Sequence, residues 1–153
     1  MPKVDLSQVP AKGTTIYPPP LNREMAGRWQ QRIGDHAGLA HLCANYVTLE
    51  PGAWSSQRHW HHGEDELVVM LSGEAVLVEE ATDENGGETL LHPGDICLWP
   101  AGATNGHCIQ NRSTRPCRFL AVSAGHETAG GVYSDIDMLF GEAGYTRKDG
   151  TPY

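Results

Sequence analysis

Three of the eight histidines in this sequence fall within four consecutive positions, in the segment QRHWHHGEDELVVMLSGE that begins at Gln57. His59 and His61 stand two residues apart, so on a β-strand their imidazoles share one face. Glu66 follows five residues after His61 and shares its parity with Val68 and Met70 of an apolar run. If that parity faces a barrel interior, a carboxylate sits at the mouth of an apolar space beside two imidazoles. Imidazole and carboxylate together suit a divalent transition metal such as Fe, Mn, Ni, Co, Cu or Zn. His62 points to the opposite face and is expected in solvent. Glu64 and Asp65 read most simply as a solvated turn, and either could replace Glu66 if the strand begins later. A lone histidine on a strand is ordinarily a surface residue or a hydrogen-bonded core residue. The paired spacing, followed by an acid entering a buried run, is what raises the ligand reading.

Short strands must position this cluster. The chain has 153 residues, of which 18 are Gly and 10 are Pro, a density of punctuation that disfavours helical bundles and doubly wound folds. From Leu39 onward seven strand-like runs follow: LCANYVTLE, DELVVML, EAVLVEE, ETLL, DICLW, GHCIQN and CRFLAVSA. Turn chemistry separates them at Pro51-Gly52, Ser72-Gly73, Asp83 to Gly87, Pro93-Gly94, Pro100 to Gly102 and Asn111 to Pro116. Such spacing predicts an all-β antiparallel sandwich or barrel over residues 39–124. Residues 1–38 read as an extended arm, because three consecutive prolines in IYPPPLNRE set a path that needs a surface to lie on. Residues 125–153 form a polar tail whose Val132, Ile136, Met138, Leu139 and Phe140 are too many for disorder. Both extensions are expected to pack on the barrel or across a partner subunit, which motivates a homodimer.

Composition excludes several partners. The formal net charge is −8 with no Lys/Arg cluster, which argues against nucleic acid. The longest apolar run, Leu67 to Leu71, is five residues and cannot span a bilayer. The opening MPKVDLSQVPAKG lacks the apolar core of a secretory signal, so a cytoplasmic location is expected. Cys43, Cys97, Cys108 and Cys117 contain no C-x-x-C pair and read as small buried hydrophobes.

A second block, GDICLWPAGATNGHCIQN from Gly94 to Asn111, turns at Pro100 and Gly102 and starts a return strand at His107, with Ile109 and Asn111 on the same face. Together the two blocks resemble the paired motifs of the cupin superfamily. The first is read as Gly52, His59, His61, Glu66 and Gly73, the second as Gly94, Pro100, Gly102, His107 and Asn111. Stricter spacing would put Arg58 and Asn105 at histidine positions, whereas the His register satisfies the remaining intervals. The resemblance, to small single-domain bacterial cupins, implies a jelly-roll-like double-stranded β-helix barrel, often dimeric. It also implies one divalent metal (Fe, Mn, Ni or Zn) held by His59, His61, Glu66 and His107. Three imidazoles and a carboxylate leave two positions of an octahedral ion open to a bidentate hydroxy acid, keto acid, enediol or similar small ligand. Dioxygenase, decarboxylase, isomerase and cyclase chemistries occur among similar cupins, and a non-catalytic binder or sensor is the alternative. Val68, Met70, Ile109, Trp60 and Trp99 are candidate walls. Asn45 and Tyr46 are candidate hydrogen-bonding groups, and Asn111 reads as a structural turn residue.

Overall fold

The computed structural model describes residues 3–81, 86–125 and 130–153. In chain order its strands are β1 (Ala11–Lys12), β2 (Arg28–Gln31), β3 (Cys43–Leu49), β4 (His59–His61), β5 (Glu64–Ser72), β6 (Ala75–Val78) and β7 (Glu88–Leu91). They continue with β8 (Ile96–Trp99), β9 (Cys108–Gln110), β10 (Cys117–Gly125), β11 (Gly131–Tyr133), β12 (Leu139–Gly141) and β13 (Gly144–Thr146). All seven runs read from the sequence are strands, and every pairing is antiparallel. Of the turn expected at 83–87, only Gly86 and Gly87 lie within the described residues.

One layer is a six-stranded sheet in the order β1-β2-β3-β10-β5-β8. The facing layer consists of β7-β6-β9 and β13-β12-β11-β4. An antiparallel bridge joins these two shorter sheets, with the His59 N–H donating to His107 O at 3.1 Å and the His107 N–H to His59 O at 2.9 Å. Alternation along each strand turns Val47, Leu49, Val68, Met70 and Phe119 of the large sheet against Ala75, Leu77, Leu91 and Ile109 of the small one. Each large apolar side chain so buried contributes roughly 1.5–3 kcal/mol. Cys108 and Cys117 are buried and Cys43 and Cys97 half-buried, all as free thiols. Gly73 closes the β5–β6 turn at φ +76°, where a β-carbon would lie 2.7 Å from Pro116 O.

The arm and the tail return to their own barrel. β2 lengthens the large sheet beside β3, and the short helix α1 (Ile33–Ala37), closed by Gly38 in the left-handed region, packs on the outside of β3. In the tail, β11 pairs with the histidine strand β4, setting Gly131 opposite His61 and Tyr133 opposite His59. The extensions meet in a second apolar cluster of Tyr17, Met25, Tyr133 and Met138, flanked by Trp54, Ile136 and Phe140. Apolar residues that suggested contact with a partner subunit therefore find cover within the chain. Among the described residues no helix is long and apolar enough to cross a membrane.

Candidate metal centre

Strand alternation on β4 aims His59 and His61 at the barrel interior and leaves Trp60 on the other side, where its ring meets that of His62 edge-on at 4.6 Å. The β4–β9 bridge brings His107 beside His59, and β5 delivers Glu66 between Ser123 of β10 and Trp99 of β8. His59 Nε2 is 3.2 Å from His61 Nε2. One oxygen of Glu66 lies 3.4 Å from His61 Nε2 and 2.9 Å from His107 Nε2. Ligand atoms of His59, His61 and Glu66 all fall within 4.8 Å of one another, a group able to hold a metal ion. His107 joins them through Glu66.

The other ring nitrogens all face oxygens. His59 Nδ1 is 3.0 Å from Gln57 O, and His107 Nδ1 is 3.3 Å from Asn105 O. His61 Nδ1 is 3.0 Å from a Glu64 carboxylate oxygen, close in distance though poorly aligned for a hydrogen bond. An imidazole whose Nδ1–H faces an oxygen keeps its Nε2 lone pair for a metal. The facing Nε2 atoms of His59 and His61 and the Glu66 carboxylate form a donor set that fits a divalent ion, with His107 beside them at 2.9 Å from the Glu66 oxygen.

Protonation follows the same charge logic. Burial pushes His59 down to about 4. For His61 burial also disfavours the charge, but the carboxylates of Glu64 and Glu66 outweigh it and carry the group up to about 9. Glu66 is held below the usual carboxylate range, since the imidazoles of His107 and His61 overcome the cost of its burial. Glu64 is lowered by its contact with His61. The metal-free cluster therefore stores a proton on His61, and a metal ion would displace it.

Aromatic rings brace the donors. Trp99 stacks on His107 with centroids 3.8 Å apart, and its Nε1–H donates to Glu79 at 2.9 Å. Phe140 stands edge-on to His59 at 5.6 Å and to His61 at 5.3 Å. Tyr133 flanks His59 at 5.6 Å, and the Tyr17 hydroxyl donates to that of Tyr133 at 2.8 Å. The close approach of the tail needs Gly131, because a β-carbon there would collide with the carbonyl of Trp60 and the ring of Phe140.

The donors open onto a cavity of about 290 Å³. Val68, Ile109 and Trp99 line it as the sequence suggested, whereas Met70 lies in the core and Trp60 outside. Asn45 reaches the cavity, and Tyr46, its neighbour on β3, does not. Asn111 is a buried clamp: its amide donates to Leu49 O and Arg115 O, both at 2.8 Å, and its carbonyl accepts from Ser113. Arg58 is committed to Asp135 and Glu80, Asn105 to Glu79 and Glu80, and neither enters the donor group. Asp65 accepts from Ala101 N on the surface, so the carboxylate in the group is that of Glu66. The sequence gives no sign that Tyr17, Arg28, Tyr133 and Phe140 lie at the site, because packing of the arm and tail is expected from composition while the residues they bring to the site are fixed by pairing with β3 and β4.

The model of the cupin domain family matches residues 45–123. The chain is a cupin. A solved structure from Silicibacter pomeroyi, described as a sugar phosphate isomerase from a cupin superfamily, is 42% identical with a TM-score of 0.90. That match covers 99% of this cupin and 96% of the other chain. An oxalate-binding protein of Thermotoga maritima is 34% identical over 76 residues, 50% of this chain and 56% of that protein. Oxalate decarboxylase OxdC of Bacillus subtilis is 30% identical over 81 residues, 20% of its length. This cupin thus spans about half, or less, of the curated relatives it matches.

Proposed function

We propose that this cupin is a metal-dependent enzyme acting on a small oxygenated molecule, a 2-hydroxy carbonyl or sugar-derived compound, held to Fe, Mn, Ni or Zn through two adjacent oxygens. One observation carries the reading: the donors converge on the wall of an open-mouthed cavity, which leaves one side of the group free for a ligand. Structural metal sites are closed, and sites that act on ligands keep open positions. A bound ion would supply Lewis acidity toward a substrate oxygen on which negative charge develops. Around it, Trp99 stacks on His107 and Phe140 holds the rings of His59 and His61, while the Tyr17 oxygen and the Asn45 amide line the cavity and can accept from ligand hydroxyls.

Isomerisation is the reaction we favour, supported by the near full-length likeness to the Silicibacter pomeroyi protein. It needs only proton movement between neighbouring atoms, with no net gain or loss of electrons. The second reading is a stand-alone binder of a small diacid, for which the oxalate-binding relative is the supporting observation.

The test begins with elemental analysis of protein purified without chelator. Metal near one ion per chain, lost in His61→Ala, is expected. Substoichiometric metal unchanged by that substitution would remove the basis of both readings. Loaded in turn with Fe(II), Mn(II), Ni(II) and Zn(II), the protein is then given hydroxyaldehydes, hydroxyketones, hydroxy acids, diketones and catechols. Turnover of a hydroxy carbonyl supports the enzyme, and saturable binding of diacids without turnover under every metal supports the binder.

A further inference from the structure

The cavity has a second wall, built from outside the segment that the cupin model matches. On β2 the side chain of Trp29 turns outward, 46% exposed, so Arg28 and Gln30 turn inward and line the cavity. Strand register gives their position. Gln30 pairs with Val47, Val47 with Phe119, and Phe119 with Met70, whereas Ser123 of the same β10 pairs with Glu66. Met70 and Glu66 are four residues apart on β5, about 13 Å of strand. Arg28 lies two residues further on, beside Leu49. The Arg28 side chain is thus rooted toward the end of the cavity away from Glu66.

A guanidinium there is a chemical demand. Arg28 carries five N–H donors, and one of them donates to Ser55 O at 2.6 Å. Among the described residues no carboxylate forms an ion pair with it. A half-buried cation facing a cavity without a counter-ion calls for an anion to offset its lost hydration. Near it the hydroxyls of Ser55 and Ser56 and the amide of Gln30 line the same space. On β3 the buried Asn45 Oδ1 has no hydrogen-bond partner, so it offers an acceptor to a ligand hydroxyl.

We propose that Arg28, with Gln30, Ser55 and Ser56, forms an oxyanion subsite, and that the cavity takes a short polyhydroxylated molecule bearing a terminal phosphate or carboxylate. The chelating oxygens of that molecule lie at the metal donors and its hydroxyls meet Asn45. Two cationic recognition points with different preferences, a metal for chelating oxygens and a guanidinium for the terminal anion, would fix both ends and the direction of the chain. The inference rests on the metal reading above for one end only.

The experiment is calorimetric titration of the metal-loaded protein with D-glucose, D-glucose 6-phosphate and D-glucuronate, which differ only at the terminal carbon remote from the carbonyl. One of the two anionic probes is expected to bind at least tenfold more tightly than glucose, about 1.4 kcal/mol. Which of them does so separates phosphate from carboxylate recognition. Arg28→Gln is expected to abolish the advantage at unchanged metal content, and Ser56→Ala, which leaves the Arg28–Ser55 contact intact, to reduce it. Equal affinity for all three probes, no binding of any, or an advantage that survives Arg28→Gln in a folded protein would overturn the proposal. Inorganic phosphate titrated into chelator-treated protein keeps the two readings apart: binding lost in Arg28→Gln upholds the subsite even if no metal is held.

Discussion

Replacing Glu64 by Gln is expected to weaken metal binding about tenfold, and at most a hundredfold, with all four facing donors left in place. Glu64 does not face the cavity. Its carboxylate lies behind His61, 3.0 Å from Nδ1, with only 12% of the side chain exposed. Ser123 steadies it, donating to the other oxygen at 3.2 Å. Two full charges 4 Å apart would be worth about 4 kcal/mol at an effective dielectric of 20. A neutral, metal-bound imidazole presents an N–H dipole rather than a charge, so the loss is smaller, about 1.4–2.8 kcal/mol for tenfold to a hundredfold. The poor alignment of the contact places the effect toward the lower figure.

Gln keeps the size of Glu64 and one oxygen able to accept from Nδ1–H, so the substitution changes mainly the charge. The assay is competition with a chromophoric chelator for Zn(II) or Mn(II) at a fixed pH near 9, where the proton that Glu64 helps to hold on His61 no longer offsets the loss. Ser123→Ala should give a smaller loss, through freedom returned to Glu64. Asp65→Asn, one residue along and engaged on the surface with Ala101 N, should give none. Affinity of Glu64→Gln within twofold of the wild type, or an equal loss in Asp65→Asn, would show that the Glu64 charge does not support His61 as a ligand.

The same geometry supports further tests. Burial raises the Tyr17 phenol to about 12; a folded-state value above the ordinary 10 means its stabilising contribution, on the order of 3 kcal/mol, is complete below pH 10 and is lost as pH rises through about 12. Urea unfolding along the alkaline limb should therefore show a steeper fall for the wild type than for Tyr17→Phe, and equal slopes would contradict it. Met138 is fully buried between arm and tail, so Met138→Ala is expected to cost about 2–5 kcal/mol in denaturant unfolding. Metal affinity should fall with it, since Phe140 of the same cluster braces His59 and His61. Ile96 and Leu98 are 60% and 66% exposed on the edge strand β8, a surface suited to pairing with a second copy. Light scattering should find a homodimer that Ile96→Asp with Leu98→Asp converts to monomer, and a monomeric wild type would exclude it.

What the sequence made legible follows from the range of the forces involved. His59 and His61 could be assigned to one face because strand alternation has a period of two, and Glu66 shares parity with a buried run for the same reason. His107 required pattern resemblance, since its place beside His59 is set by a bridge between residues far apart in the chain. The second wall had no local signature. RWQQ carries no apolar alternation, and its strand exists because β3 offers it an edge. Tyr17 and Tyr133, bonded across 116 residues, become neighbours only when arm and tail close on each other.

That division separates what the site can do from what it selects. The candidate metal donors come from the strands and turns of the two cupin motifs, so any chemistry they carry would be common to many ligands. Arg28, Gln30 and Tyr17 come from segments added to the barrel and line the space beside the donors, while Phe140 of the tail packs on the rings of His59 and His61. A relative that shares only the barrel therefore informs about the metal and little about the ligand. One that also shares the arm and tail informs about both. On this reasoning the ligand is better inferred from the guanidinium and the orphaned Asn45 oxygen than from the imidazoles. Exchanging the arm and tail between cupins should move ligand preference while leaving metal affinity within the range set by His59, His61, Glu66 and His107.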